Sequence, residues 1–326
     1  MAKAVALEDQ LAQLKSLRAA STRSPADLAK LLDSKHSIIV AGIAPMIADA
    51  RLVDLIPALI KAFDRFLANG DKNDKGCAAK FAIVNALCSL NHREPETYLA
   101  GLRCVQLEPG FGGSSDTAGE LRGRCAIALA EMAHPGIVIE IAPLLADKDG
   151  QTRVGAARAL GVIASEGAAG TLRLKLLLGD EDPAVLTECA AALLAISARD
   201  HAAFVISALQ AAKKEDVIEA ILIALGECRD SAIVEPLKQM YAAARFEPDR
   251  RAALRILARL RVDGAHEALV DIIEKALHIH AKEAVEAAAP LRNDPRFMQK
   301  LDAALDRRDD KFLTRHRDEV FAKIHR

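Results

Sequence analysis

AVLTECAAALLAIS, residues 184–197, returns as DVIEAILIALGECR at 216–229, PDRRAALRILARLR at 248–261 and HAKEAVEAAAPLRN at 280–293, a period of 32 residues with the apolar positions in register. Upstream the same frame fits QTRVGAARALGVIA (151–164), ELRGRCAIALAEMA (120–133), AAKFAIVNALCSLN (78–91) and, more weakly, KHSIIVAGIAPMIA (35–48). The sixth, tenth and thirteenth positions are apolar: Ala156, Leu160 and Ile163, then Cys189, Leu193 and Ile196, then Ala253, Leu257 and Leu260. Offsets of four and three put such residues on one stripe of an α-helix. A second amphipathic segment lies between frames, as at 170–178, 202–209 and 233–241, so each repeat reads as a helical hairpin. Self-similarity at this period marks a stacked array rather than a conventional core. The expectation is an all-α fold, a right-handed α-solenoid of about eight stacked helical hairpins. No segment carries the period-two alternation of a strand.

Composition agrees with an array. The chain has 326 residues, 51% apolar but only 3% aromatic and without Trp, so its interior is built from Ala, Leu, Ile and Val. Such small side chains suit closely packed helices. Lys and Arg number 44 against 45 Asp and Glu, so no global field draws the chain to nucleic acid or an acidic membrane. Glu8 and Asp9 interrupt the stretch where a signal peptide needs its apolar run. No run reaches the eighteen apolar residues of a membrane span, and a cytoplasmic protein is expected. Cys77, Cys88, Cys104, Cys125, Cys189 and Cys228 show no metal-ligand spacing and read as small buried hydrophobes in a reducing compartment.

Turn signals fall where antiparallel helices need them. Gly150, the Asp182-Pro183 pair and Pro248 open second helices, with Asp182 as an N-cap, while Gly167, Asp200, Asp230 and Gly264 separate repeats. The run Asp149-Gly-Gln-Thr-Arg153-Val-Gly-Ala-Ala157-Arg-Ala-Leu160-Gly161 and the Asp182-Pro183-Ala-Val185 turn resemble the HEAT-like repeat family of the short bacterial, phycobilisome-lyase type. That resemblance, over residues 25 to 305, implies an armadillo-like superhelix whose members mostly act as binding surfaces. The expected layout is an N-terminal capping helix at 1–24, the repeat array at 25–307 and a C-terminal capping helix at 308–326. Val5, Leu7, Leu11, Leu14 and Leu17 supply the apolar side of the first cap, and Phe312, Val320, Phe321 and Ile324 that of the second.

Two repeats break the period. Frame spacings of 43 and 42 residues precede those of 31 to 33, and the surplus lies at 68–76 and 108–119 together with a longer helix at 52–67. Both insertions join the first helix of a repeat to its second, so stacking sets them side by side on one edge, where insertions of repeat proteins commonly form a binding face. Asp71 and Lys72 of the first insertion, and Phe111, Gly112, Gly113 and Asp116 of the second, are the candidate partner-binding residues there. Gly110, Gly112 and Gly113 could present backbone N–H groups to an anion, but a glycine stretch without a following GK[ST] is a poor phosphate signature.

The third frame position supplies a ladder of cations, Lys80, Arg122, Arg153, Arg250 and Lys282, interrupted by Leu186 and Ile218. In HEAT-like repeats this cation looks like an internal strut bonding an Asp of the preceding turn, with Asp149 ready for Arg153. The alternative is a basic stripe facing a ligand. The helix opened by Pro248 is the most basic, and its Arg250, Arg251 and Arg255 complete the candidate partner-binding set.

Catalytic patterns are sparse. There is one His-Glu dipeptide, His266-Glu267, where the di-iron deoxyhypusine hydroxylases of this repeat class use several. HExxH, GxSxG and GxxxxGK[ST] are absent, and Glu131–His134 is a single ExxH. The expectation is therefore a non-enzymatic protein-binding scaffold or adaptor without cofactor or metal, offering a curved helical surface and the two-loop edge. The alternatives are a small-ligand or lyase-type function at the glycine-rich loop and nucleic-acid binding through the repeated cations.

Overall fold

The computed structural model describes residues 7–19, 24–110 and 113–322. Val5, Phe111, Gly112 and Ile324, all singled out by the sequence, lie outside the described residues. Contacts divide the chain into two compact units, one through Ala168 and one from Ala169 onward.

The first unit opens with α1 (Leu7–Ala19), whose Leu14 and Leu17 are buried. Gly42 admits Leu14, since a Cβ there would stand 2.8 Å from the leucine Cδ2. Hairpins then come in order: α2 (Pro25–Leu32) with α3 (Ser37–Asp49), α4 (Ile56–Ala68) with α6 (Ala78–Ser89) across the short α5 (Gly70–Asn73), and α7 (Pro95–Leu102) with α8 (Gly119–Glu131). The last pair is α9 (Ile137–Ile141), continued by a 3-10 turn, with α10 (Gly150–Ile163). The frame helices α3, α6, α8 and α10 pack on one another in sequence, while α2, α4 and α7 form the second layer. Ile39, Ile43, Ile83, Leu87, Leu121, Cys125, Ala156 and Leu160 fill the seam, all buried. The first helix of each hairpin thus covers one side of a row whose members could not bury their stripes alone.

α11 (Glu166–Leu178) begins three residues before the second unit and leads within it to α12 (Pro183–Ala211), then α13 (Glu215–Gly226), α14 (Val234–Ala243), α15 (Glu247–Arg259), α16 (Ala265–Lys275), α17 (His278–Ala288), α18 (Pro295–Arg308) and α19 (Lys311–Ala322). Here α13, α15, α17 and α19 pack in sequence, and α14, α16 and α18 form the second layer. At its C-terminal end Leu313 and Phe321 of α19 join the core cluster of Phe297, Leu301 and Leu305.

Helix starts are set by local chemistry. Asp149, Asp182 and Asp294 accept hydrogen bonds from the first backbone N–H groups of α10, α12 and α18, and prolines occupy the first turn of the latter two. Two repeat breaks fall elsewhere than expected. Gly167 lies inside α11 and Asp200 inside α12; the breaks come at Ala164, with a left-handed φ of 52°, and at Ser197, with φ −165° and ψ 106°. Ser165 and Ser197 cap the helical segments that begin there, their hydroxyls accepting from Ala168 N at 3.2 Å and Asp200 N at 3.3 Å. A serine hydroxyl satisfies an orphan N–H of the first turn, so the helix begins at the serine and carries the glycine or aspartate within that turn. Because of Ser197, α12 is two helices in succession across a kink. By length and composition the whole stretch Pro183–Ala211 is apolar enough to cross a membrane, with half of its most apolar window buried inside the protein.

One feature departs from the expectation of helix alone. The second insertion folds into a two-stranded antiparallel hairpin, β1 (Leu107–Gly110) and β2 (Gly113–Asp116), pairing Leu107 with Asp116 and Gly110 with Gly113. Each strand is only four residues, Leu-Glu-Pro-Gly and Gly-Ser-Ser-Asp, too short and too rich in proline, glycine and serine to carry a strand signal.

Candidate functional site

The two insertions meet, and the contact is built of buried charge. Asp74 and Lys80 are both fully buried and paired at 3.1 Å. The Asp74 carboxylate also accepts from the backbone N–H of Ala79 at 2.8 Å and Lys80 at 3.1 Å, fastening the start of α6. Lys80 Nζ donates to Gln106 Oε1 at 2.7 Å, and Gln106 Nε2 returns to the Asp74 carbonyl at 2.7 Å. Gly70 is required here, because a Cβ would stand 2.1 Å from Gln106 Oε1. A buried ion pair survives only when every remaining donor and acceptor is satisfied, and this arrangement satisfies them with groups from both insertions.

Above this pair stands the hairpin. Glu108 Oε1 accepts from Gly76 N at 2.7 Å, Gln106 Nε2 at 2.6 Å and the Thr117 hydroxyl at 2.8 Å. Burial alone would raise the Glu108 carboxyl, but these three donors hold it below its ordinary value. Asp116 closes the other strand, its Oδ1 accepting from Gln106 N and Ala118 N, both at 3.0 Å. Arg122, buried on α8, donates to Asp116 Oδ2 at 2.6 Å, to the Cys104 carbonyl at 2.8 Å and to Asp147 Oδ1 of the next repeat at 3.0 Å. Asp116 is likewise held low: burial opposes its charge, and the two backbone donors and Arg122 outweigh that.

Of the residues predicted for this edge, Asp71 and Lys72 are exposed on α5, Gly113 is exposed at the start of β2, and Asp116 is half-buried at the hairpin's base. Phe111 and Gly112 lie outside the described residues. The large outward apolar side chains here are Val105, just before β1 and 65% exposed, and Leu107, at the start of β1 and 60% exposed. Gln106, Glu108 and Thr117 escaped the sequence reading. The signal for them was indirect, since polar residues clustered at both ends of two insertions can bury only against one another.

The predicted basic residues lie in the second unit. Arg250 is 15% exposed and pairs with Glu283 of α17 at 3.1 Å, Arg251 with Glu247 at 2.9 Å, and Arg255 with Glu219 at 3.7 Å. Four of the five ladder cations therefore engage partners inside the fold: Lys80 with Asp74, Arg122 with Asp116 and Asp147, Arg153 with the carbonyls of Asp147 and Lys148, and Arg250 with Glu283. Nearby, a cleft of about 930 Å³ is lined by Arg229, Arg259, Arg261 and His266, with Glu227 and Asp294 offsetting two of the three guanidinium charges. Among the described residues no three His, Cys, Asp or Glu side chains converge on a metal-sized site.

Stacked helical hairpins, with Asp caps on α10 and α12 and buried cations at the third frame position of α6, α8 and α10, define a helical-repeat fold. No known family profile matches the chain, and no curated protein matches it significantly. Among solved structures it is similar to the CpcE–CpcF complex of phycocyanin lyase from Nostoc sp. PCC7120, at 21% identity over 74% of this chain and 94% of that one, with a TM-score of 0.38. Human deoxyhypusine hydroxylase is similar at 16% identity over 77% of this chain and 97% of that one, TM-score 0.31. The Pds5–Scc1 complex is similar at 13% identity over 92% of this chain and 67% of that one, TM-score 0.31. Likeness at this level concerns helical repeats alone. One expectation is nevertheless corrected: two of these neighbours are enzymes, so a helical-repeat fold gives no ground for excluding catalysis, and the expected absence of enzymatic activity is withdrawn.

Proposed function

We propose that the chain binds another protein, and that its docking edge is the β1–β2 hairpin with the adjoining first insertion. The observation that carries this reading is an exposed hairpin anchored on a buried ion-pair network. A loop that served only to connect two helices needs no such footing. Burying Asp74 and Lys80 costs desolvation that apolar residues would not, and the return is a fixed loop geometry. Preorganised contacts bind without an ordering cost, and a two-stranded hairpin offers open backbone edges to which an extended segment of a partner can add.

The test substitutes outward residues only. Val105→Asp with Leu107→Lys leaves the network beneath untouched. Cross-linking and affinity purification from the native cell, with wild type and variant compared, should recover a protein with wild type and lose it with the variant at unchanged melting temperature. Equal recovery with both forms moves the docking surface elsewhere, and recovery of nothing by wild type removes the reading.

A further inference from the structure

The ends of α13 and α15 carry arginines that the fold leaves without partners. Arg229 and Arg261 are the last residues of the frames 216–229 and 248–261, so the packing of α13 on α15 sets them on one edge of the second unit. Arg259, in the last turn of α15, lies across Gly226 of α13: a Cβ on that glycine would stand 3.2 Å from the Arg259 Nε and 3.4 Å from its Cβ and Cδ. The glycine lets the arginine stem lie against the α13 backbone, and all three arginines line the cleft of about 930 Å³ at this edge.

The other arginines of α15 are paired. Arg250, Arg251 and Arg255 each meet a glutamate. Among the described residues the guanidinium groups of Arg229, Arg259 and Arg261 form no ion pair or hydrogen bond. The helix dipole does not account for them either: its effect falls off within the last turn, and Arg229 and Arg261 stand beyond the ends of their helices. Like charges gathered without partners repel one another, and an anion placed among them relieves that repulsion.

We propose that this cleft binds a phosphate monoester carried on a small, apolar organic molecule. Guanidinium groups are planar donors that match the oxygens of phosphate and carboxylate. Three of them suit the three terminal oxygens of a phosphate monoester, with its charge of about −1.5 to −2 at neutral pH, better than the two oxygens of one carboxylate. The carboxylates of the cleft leave room for that charge. Asp294 Oδ1 is occupied as the cap of α18, accepting from Arg296 N at 2.9 Å and Phe297 N at 3.2 Å, and with Glu227 it offsets only two of the three guanidinium charges. Pro290 and Leu291, also in the lining, supply apolar surface for the organic part. The volume agrees, since small-molecule pockets measure about 300–1,000 Å³. This site is separate from the docking edge of the first unit and does not depend on it.

The test titrates phenyl phosphate into the full-length protein by calorimetry at constant ionic strength, with inorganic phosphate, benzoate and a phosphoserine peptide in parallel. Phenyl phosphate should bind saturably, one per chain, and more tightly than the others; inorganic phosphate lacks the apolar part and benzoate the third oxygen. Arg229→Gln with Arg261→Gln should weaken it by more than about tenfold, the loss expected for a charge-assisted hydrogen bond. Arg251→Gln with Arg255→Gln removes the same charge from paired positions and should change the affinity by less than about twofold, because exposed charges at a distance are screened. An unchanged melting temperature shows each variant folded, and should the first double variant not fold, Arg229→Gln alone is read in its place. The proposal is overturned if phenyl phosphate shows no saturable binding at millimolar concentration, or if both double variants lose affinity equally, which would mark a diffuse field. It is equally overturned if benzoate or inorganic phosphate binds as tightly as phenyl phosphate, or if the phosphoserine peptide binds more tightly, which would assign the cleft to a protein-borne phosphate.

Discussion

Lys80 shows how much rests on one side chain at this edge. It is fully buried, it neutralises an equally buried Asp74, and it joins two insertions through Gln106. Lys80→Met keeps the aliphatic stem and removes the charge, leaving an unpaired buried carboxylate. Breaking one side of such a pair costs about 3–5 kcal/mol, so chemical denaturation monitored by a first-unit probe should show a loss of that size. A second residue-scale expectation concerns acid. The folded Asp116 lies below the ordinary Asp value of 3.8, so the stability it contributes is fully present above that value. It is lost as pH falls through the lower folded value, because the unfolded chain then binds the proton more readily. Acid titration of melting temperature should therefore fall more steeply for wild type than for Asp116→Asn, which has no proton to bind there. Lys80 stood out in the sequence as a member of a periodic cation row. Its partner did not, because Asp74 is one of two aspartates in a polar loop and nothing in the linear order distinguishes the buried one.

At the scale of elements, glycine separates packing from propensity. In the α8–α10 contact a Cβ on Gly155 would stand 2.3 Å from the Gly123 Cα and 2.9 Å from its carbonyl carbon. Backbone cannot yield as a side-chain tip can, so Gly155→Ala forces the helices apart and should destabilise by about 1–3 kcal/mol. Gly170 within α11 meets nothing within 4 Å. Gly170→Ala should stabilise by about 0.5–1 kcal/mol through the lower entropy of the unfolded chain. Paired thermal melts check both signs, and an equal effect at the two sites would refute the packing argument. Helix identity was legible from the apolar stripes because burial selects those positions whatever the neighbours are. Helix starts were less so: Ser165 and Ser197 supply caps that a search for glycine and aspartate passes over. The hairpin was hidden as well, its exposed glycines and serines carrying no alternation.

For the whole molecule, contacts concentrate within two units, through Ala168 and from Ala169. Repeat arrays are stabilised by each repeat and its nearest neighbours, so damage in one unit should stay there. Hydrogen exchange on Lys80→Met should lose protection in α6 and α8, while amides of α16 and α18 stay within about 0.5 kcal/mol of wild type. Loss of protection throughout would show one cooperative body instead. The periodic stripe determined the helical-hairpin repeat by itself, since every frame must bury the same face and that requirement is written at fixed spacing. The meeting of the insertions and the burial of Asp74 with Lys80 were decided only in three dimensions. Those groups lie far apart in the chain, and what defines them is the desolvation they share once stacking has brought the two loops together.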